Sequence, residues 1–274
     1  MGSGGINGTE YESARQSITV ALKDAFEKTD RVYDAVEAMI TSGPIRINVA
    51  RLGDADPTVV PLSIALLTKG LKSFRAVKVT AQEGCGQDAS ILLRGLFENC
   101  LAVLWLLDKD STRRARMYAA HSDQRAMVAI EERLKIDSLR VKAAEEHVIV
   151  QRRLESWLQL LTPEDLSTCR RHWSGLRGVE QVASTLDGWT VAYVTLYRTT
   201  SNYAHGADAE SHLRMSDSGV PIALLLPGLQ ELSRVLNLNC TLLYSMASRI
   251  NERFGLGFDG DMSSIAGDAG FEAD

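Results

Sequence analysis

Apolar positions recur at helical spacing along most of the chain and predict a series of amphipathic helices. Residues 9–42 alternate charged and apolar positions and stop at Gly43-Pro44, which predicts one helix with room for a bend. We expect a second helix at 58–83 and a third at 87–108. The third stretch is apolar nearly all round, which is typical of the central helix of a bundle.

Residues 110–160 are strongly helical in pattern and highly charged. One unbroken helix of this length would reach about 75 Å. We therefore expect a break near Asp137-Ser138, which would give two helices packed as a hairpin or projecting as an arm.

The next helix start is marked by Thr162-Pro163-Glu164-Asp165, with Thr as N-cap, Pro at the first helical position and acids in the first turn. A loop and a short helix are expected at 175–188. Trp189 to Ala204 reads as a helix closed by Gly206. Residues 211–226 look extended and have room for a small hairpin, and 227–253 form the final helix.

The fold class predicted from these elements is an all-α helical bundle with a long inserted helical hairpin at 110–160 and room for one short β-hairpin. We expect one domain, because the length suits a single core. Its parts would be an N-terminal helix and linker at 1–56, a helical domain at 57–254 and a disordered acidic tail at 255–274. The tail has five glycines, five acids and few large residues.

The formal net charge of −5 comes from that tail, because the rest of the chain has 30 basic and 30 acidic residues. The neutral body neither demands nor excludes a nucleic-acid partner. Charged residues such as Arg94 and Glu98 interrupt the apolar stretches, so no membrane contact is expected. No secretory signal is recognisable at the N-terminus, which predicts a cytoplasmic protein.

The four cysteines are far apart and form no C-x-x-C pair: Cys85, Cys100, Cys169 and Cys240. Structural zinc sites usually need closely spaced ligands. We interpret the cysteines as reduced core or turn residues and expect neither a metal nor a cofactor.

The most informative stretch is the helix that ends at His205. Seven residues separate Arg198 from His205, so both return to nearly the same helical face, with Ser201 and Asn202 between them. Arginine binds phosphate in a bidentate manner, and histidine can move protons at neutral pH. Alternatively, a histidine before Gly206 simply caps the helix end.

This arrangement resembles the R-x(4 to 6)-H motif of the HEPN superfamily, compact helical bundles that include many metal-independent RNA-cutting toxins and phage-defence proteins. The spacer here is six residues, and Thr199 follows the arginine where the HEPN motif often has Asn, Asp or His. Residues 69–78, 92–98, 172–175 and 197–205 also resemble a bacterial helical family of unknown function, over about 58–254.

The HEPN resemblance implies RNA cleavage by attack of the ribose 2′-hydroxyl on the adjacent phosphate, without a metal. His205 would be general base or acid and Arg198 would bind the phosphate. Ser201, Asn202 and Tyr203 would orient these groups or the RNA. The alternative is a non-catalytic helical module that binds protein or nucleotide. The long charged arm and the acidic tail are evidence for it, and Thr199 in place of the residue that usually follows the HEPN arginine also favours it.

Two further groups of residues could support such a site. Arg94 and Glu98 lie one turn apart on an apolar helix, so we expect them to be buried and hydrogen-bonded, either as a structural ion pair or as the wall of a polar cleft. The second group is a basic and aromatic patch, Arg170-Arg171-His172-Trp173 with Arg177. It could hold RNA phosphates and stack a base, or its basic residues could close a helix while the Trp is buried against the bundle.

The expected assembly is a homodimer. Arg198 and His205 start about 10 Å apart within one chain, so two copies facing across a two-fold axis would close the site better. Aromatic contacts for this interface would come from Trp189, Tyr193 and Tyr203. Other expected partners are RNA and an antitoxin or another protein.

Overall fold

The structure is a computed structural model that describes residues 8–48, 58–200, 213–215, 221–223, 229 and 231–271. The chain begins with α1 (Gly8–Ala21) and α2 (Lys23–Thr41), which are separated at Leu22. The bend that the pattern allowed in this stretch is therefore present.

Two long helices follow, α3 (Val59–Gln82) and α4 (Gly86–Asp108), in agreement with the predicted ranges. They are joined by a tight turn in which Gly84 has φ +77°, a conformation that favours glycine. By length and composition α4 could span a membrane, which corrects the expectation that its charges preclude this. However, 67% of its most apolar window is buried inside the protein, as in the core helix of a soluble protein.

Helices α5 (Ser111–Leu134) and α6 (Arg140–Leu160) form the expected hairpin, joined through a 3₁₀ turn at Asp137–Leu139. Ile130, Ala143 and Val150 are buried between them. Asp123 ties the hairpin together, because its carboxylate accepts a hydrogen bond from the Trp157 indole at 2.9 Å and pairs with Arg153 at 2.7 Å.

Helix α7 (Pro163–Cys169) begins with the cap that the sequence predicted. The Thr162 hydroxyl accepts from the Asp165 backbone N–H, and the Asp165 carboxylate accepts from the Thr162 N–H, which completes a capping box. The short helix α8 (Val179–Ser184) lies within the range predicted for it.

The next helix departs from regular α geometry. One α-helical turn, α9 (Trp189–Ala192), continues as a π-helical segment at Tyr193–Arg198. The predicted end of this helix, at Ala204 and Gly206, lies outside the described residues.

A short β-hairpin lies in the stretch predicted to be extended. Strand β1 (Leu213–Met215) pairs antiparallel with β2 (Pro221–Ala223), with Leu213 opposite Ala223. The long helix α10 (Leu232–Phe254) follows and buries an apolar face that runs from Leu232 to Phe254. The all-α class with one small hairpin is thus confirmed.

The C-terminal tail was predicted to be disordered, and for residues 255–271 that prediction is wrong. Helix α11 (Asp259–Ile265) and a 3₁₀ turn (Gly267–Ala269) follow α10. Four of their side chains are buried, namely Met262, Ile265, Ala266 and Ala269. Their spacing of i, i+3, i+4 and i+7 makes one apolar face, which is enough to dock the segment despite its glycines and acids.

The domain boundaries also differ from the prediction, because the chain divides into two compact units. Unit 1 comprises residues 1–52, 64–103 and 191–274, and unit 2 comprises 53–63 and 104–190. The N-terminal helices are not a separate part. Helix α2 packs in unit 1, where Thr29 and Cys240 of α10 are both fully or almost fully buried and in contact.

Candidate functional site

The segment that carries the R-x6-H motif is described as far as Thr200. Arg198 lies at the end of the π-helical segment, and its side chain is exposed. The other motif positions, Ser201, Asn202, Tyr203 and His205, lie outside the described residues. The spatial relation of Arg198 to His205 therefore stays a prediction.

Tyr197 anchors this segment to α4. Its hydroxyl accepts a hydrogen bond from Arg94 Nη2 at 2.7 Å and donates one to Glu98 Oε1 at 2.8 Å. Arg94 Nε also lies 3.5 Å from Glu98 Oε1, and the guanidinium carbon is 4.4 Å from the centre of the Tyr197 ring. The Tyr197 hydroxyl is thus hydrogen-bonded to both charged groups.

Arg94 and Glu98 are hydrogen-bonded as expected, but their predicted burial is only partly right. The Arg94 side chain is 27% exposed and that of Glu98 is 41% exposed. Both side chains are therefore partly open to solvent, although both contact Tyr197 of the π-helical segment. Partial exposure and the contacts with Tyr197 suit a role as structural support and a role as the wall of a polar cleft.

The environment of Tyr197 shifts its acidity. Burial raises the pKa of the phenol, and the neighbouring Glu98 carboxylate raises it further, while Arg94 opposes the shift. The hydroxyl therefore stays protonated through the neutral range and can keep donating to Glu98.

Aromatic packing supports the same segment. Tyr193 stacks on Tyr197 with ring centres 5.3 Å apart and an interplanar angle of 22°. Phe97 of α4 lies against the Tyr197 ring at 5.8 Å, and Leu196 is buried beneath the segment. These contacts fix the face that the segment turns toward α4.

Helix α10 contacts the backbone of the π-helical segment through one arginine side chain. Arg234 Nη2 donates a hydrogen bond to the Thr195 carbonyl. In a regular α-helix that carbonyl would accept from the N–H of Thr199, which here bonds to Leu196 instead. Arg234 thus satisfies an acceptor that the π winding releases, and it is itself positioned by Glu231 at 3.1 Å.

The described residues of α4, the segment and α10 enclose only a small space. A cavity of about 10 Å³ lies between Ser90, Thr200 and Val235, which is room for about one water molecule.

Arg171, His172 and Trp173 belong to unit 2 and form a different environment. Trp173 packs edge-on against Trp105 at 5.3 Å and in a tilted arrangement against Tyr118 at 5.5 Å. His172 lies on the Trp173 ring at 4.7 Å, and its Nδ1 is 2.8 Å from the Ser174 hydroxyl. Arg171 is exposed. The contacts of Trp173 favour the structural interpretation of this group.

A buried arginine that the sequence did not single out completes the aromatic cluster. Arg114 is 7% exposed, lies 4.4 Å over the Trp105 ring, and donates to the Trp105 carbonyl. Burial lowers its pKa, and Asp108 opposes that shift from 3.5 Å. The ring of Trp105 contacts both Trp173 and the buried Arg114 guanidinium, and these residues therefore do not form an open binding surface.

The cysteines have the environments expected from their positions. All four are free, and Cys100, Cys169 and Cys240 are buried. Burial raises the pKa of the Cys169 and Cys240 thiols to about 11, so both are inert at neutral pH. Among the residues that the structure describes, no group of three or more His, Cys, Asp or Glu could hold a metal ion.

Sequence reasoning missed Tyr197 and Arg234 as parts of the site. Tyr197 directly precedes Arg198, and an aromatic hydroxyl on the packing face of a helix usually needs a polar partner. That signal indicated a buried hydrogen bond without indicating its partners, which lie about a hundred residues earlier in the chain.

The comparisons with known proteins bear on the family of the chain. A family model described as "Family of unknown function (DUF5677)" matches residues 62–220, which is more than half of the chain and includes Arg94, Tyr197, Arg198 and His205. No curated protein and no solved structure matches the chain. By the extent of the family match, the chain belongs to the DUF5677 family of unknown function.

Proposed function

We propose that this protein is a HEPN-like endoribonuclease of the toxin or phage-defence type, which cleaves RNA without a metal. The 2′-hydroxyl of the ribose attacks the adjacent phosphate, and the 5′-oxygen of the next nucleotide leaves. His205 removes or supplies the proton, and Arg198 binds the phosphate and stabilises its developing charge. Ser201, Asn202 and Tyr203 orient these groups or the RNA.

The observation that carries the proposal is the anchoring of the π-helical segment that ends at Arg198. Tyr197 is fixed between Arg94 and Glu98, and the Thr195 carbonyl is held by Arg234. The arginine that follows Tyr197 is exposed. Local π-helical winding is frequent at functional sites, and a cation held on a fixed backbone suits phosphate binding.

In this proposal Arg94 and Glu98 are positioning residues. Their contacts with the Tyr197 hydroxyl fix the backbone immediately before Arg198. A group held this way loses less entropy when it binds a phosphate. We do not assign a catalytic role to Arg171, His172 or Trp173, because Trp173 is engaged with Trp105 and Tyr118.

The test is cleavage of a labelled single-stranded RNA by the purified full-length protein in the presence of a chelator. We expect 2′,3′-cyclic phosphate ends from the wild-type protein. Arg198→Ala and His205→Ala should each lower the rate at least about a hundredfold, the usual range for a general acid–base group. Arg152→Ala is the matched control, since Arg152 is an exposed arginine of α6 in unit 2.

Two results would overturn the proposal. One is the absence of cleavage by wild-type protein across RNAs of mixed sequence. The other is cleavage that His205→Ala leaves unchanged, because the activity would then come from another site or from a contaminant.

The proposed active form is a homodimer in which the motif helices of two copies line one cleft. Light scattering tests the association, and a mixture of Arg198→Ala and His205→Ala subunits tests sharing of the site. We expect the mixture to recover part of the activity that each variant lacks. A strict monomer at micromolar concentration would exclude the shared cleft.

A second candidate function is that of a non-catalytic helical module that binds a protein. The helical hairpin favours it, because much of the exposed large apolar surface lies there: Val128, Ile136, Leu139, Val141, Val148, Ile149, Leu158 and Leu160. Exposed apolar groups in such number on one element are typical of interaction surfaces.

A further inference from the structure

A groove of about 650 Å³ runs along the helical hairpin where α5, α6 and α7 meet in unit 2. Its apolar lining consists of Met127, Val128, Leu154, Leu158 and Leu166. Val128 is 55% exposed and Leu158 is 65% exposed, so the groove offers apolar surface to a ligand. A concave surface lined in this way is typical of a binding site.

The two ends of the groove carry opposite net charges. Asp123 pairs with Arg153 and Trp157, so Glu155 lies at the level of Arg125, where the two arginines Arg125 and Arg170 outnumber it. Arg125 and Arg170 lie near α7, where the Gln124 amide donates to the Leu166 carbonyl at 3.4 Å. Glu131 lies about 9 Å farther along α5, six residues at the standard rise. Within the described part of the chain, neither arginine side chain nor Glu131 has an ion-pair partner.

We propose that this groove binds one amphipathic α-helix of a partner protein. The apolar stripe of that helix lies on the groove floor, its acidic first turn meets Arg125 and Arg170, and its basic last turn meets Glu131. Such a charge distribution is also the one that the helix dipole favours, which adds to the stability of the bound helix. The mode is helix-in-groove recognition, with anchors at i, i+3 or i+4, and i+7.

Charge balance argues against RNA as the occupant. Glu131 and Glu155 offset Arg125 and Arg170 in the groove lining. The Glu155 carboxylate is held in place by the Gln151 amide at 3.1 Å. RNA phosphates require an excess of cations, whereas a neutral groove with an apolar floor suits an apolar helix face. The inference is independent of the proposed ribonuclease activity.

The probe is a fluorescent peptide of roughly 14 residues, about four helical turns. It has Glu in its first turn, Leu on one face and Lys in its last turn. The matched control peptide has the same composition with the Glu and Lys positions exchanged. Fluorescence anisotropy with the full-length protein should give saturable binding, about tenfold tighter for the first peptide, since charge complementarity sets the direction.

Variants of the protein test which surface is used. Leu158→Asp should abolish peptide binding, and the double change Arg125→Glu with Arg170→Glu should reverse the preference between the two peptides. Ile149→Asp is the matched control, because Ile149 is an exposed apolar residue of α6 that does not line the groove. All variants should keep the helical circular dichroism spectrum of the wild type, since the changed residues are exposed.

Several outcomes would overturn the proposal. These are a lack of saturable binding of either peptide, equal binding of both peptides, and binding that Leu158→Asp leaves intact. Displacement of the peptide by a single-stranded RNA would assign the groove to nucleic acid instead. Self-association of the wild-type protein that Leu158→Asp abolishes would show that a second copy is the occupant.

Discussion

Arg31 of α2 binds Asp268, near the end of the chain, through two hydrogen bonds, from Nε to Oδ2 at 2.7 Å and from Nη2 to Oδ1 at 2.9 Å. These bonds lower the pKa of the Asp268 carboxyl. Tyr244 and Phe271 make a ring contact in the same region at 4.8 Å. The acidic C-terminal segment is thus attached to α2 and α10 by polar and apolar contacts together.

The first prediction is that truncation after Phe254 destabilises the protein. The deletion removes the buried Met262 and Ile265, and burial of each such side chain is worth about 1.5–3 kcal/mol. We expect the melting temperature to fall by at least about 5 °C in a thermal scan. Met262→Ala should lower stability in the full chain, whereas Asp261→Ala, at an exposed position, should not. An unchanged melting temperature after truncation would contradict the packing of α11.

The second prediction concerns acid stability through Asp165. The hydrogen bonds from Arg113 lower the pKa of the buried Asp165 carboxyl, and those from Thr162 add to the shift. A carboxyl with a lowered folded pKa stabilises the fold above its unfolded pKa of about 3.9, and this contribution is lost as the pH falls through the folded pKa. Asp165→Asn should therefore cost about 1–3 kcal/mol at pH 7 and progressively less below pH 4.

Urea unfolding at pH 7 and in the acid range checks this prediction. Glu164→Gln is the control, because Glu164 is an exposed acid in the same helical turn. A difference between wild type and Asp165→Asn that stays constant with pH would show that ionisation of Asp165 is not involved.

The third prediction compares two helical glycines of unit 1. A Cβ at Gly70 of α3 would lie 2.9 Å from Met246 Cε and 3.1 Å from its sulfur, whereas a Cβ at Gly95 of α4 would meet nothing within 4 Å. Gly95→Ala should stabilise by about 0.5–1 kcal/mol through helix propensity. Gly70→Ala should gain nothing or lose about 1 kcal/mol, because Met246 is fully buried and must move. Equal gains in chemical denaturation would contradict the close approach of α3 and α10.

The fourth prediction concerns Tyr197. Tyr197→Phe leaves Arg94 and Glu98 without their shared hydroxyl and should cost about 1–2 kcal/mol. This is less than the 3–5 kcal/mol typical of breaking a buried ion pair, because water reaches both charged side chains. Chemical denaturation measures the loss, and Tyr244→Phe is the control at another packed tyrosine of unit 1, whose ring lies 4.8 Å from that of Phe271.

The same tyrosine predicts a pH effect in the alkaline range. A folded pKa above the unfolded value of about 10 means that the stability from Tyr197 is complete below pH 10 and declines as the pH rises through the folded pKa. The wild type should therefore approach the stability of Tyr197→Phe in alkali. A gap that widens with pH would have the opposite sign and would refute this assignment.

Hydrophobic periodicity predicted most helices, because the packing face of a helix consists of apolar residues three or four positions apart in the sequence. The hairpin of α5 and α6 and its break near Asp137 followed from the pattern and from helix length. The capping box at Thr162 could also be predicted, since its two partners are three residues apart.

Features that depend on distant partners could not be predicted in this way. The π winding at Tyr193–Arg198 is tied to Arg94, Glu98 and Arg234, and no local pattern connects these positions. The C-terminal segment was misjudged for a different reason. Its composition is that of a disordered tail, yet the spacing of Met262, Ile265 and Ala269 is that of an amphipathic helix, and spacing decided the outcome.

The π-helical winding also sets the angular positions of Tyr197 and Arg198 around the helix axis. Each π turn contains one residue more than the matching α turn, so deletion of one residue between Tyr193 and Leu196 would allow regular α winding. The deletion would remove the hydrogen bond between Arg234 and the Thr195 carbonyl. It would also change the angle between Trp189 and Tyr197 around the helix axis by about 100°, the rotation of one residue. A related chain that lacks one residue in this stretch would therefore be unable to place the Tyr197 ring on Arg94.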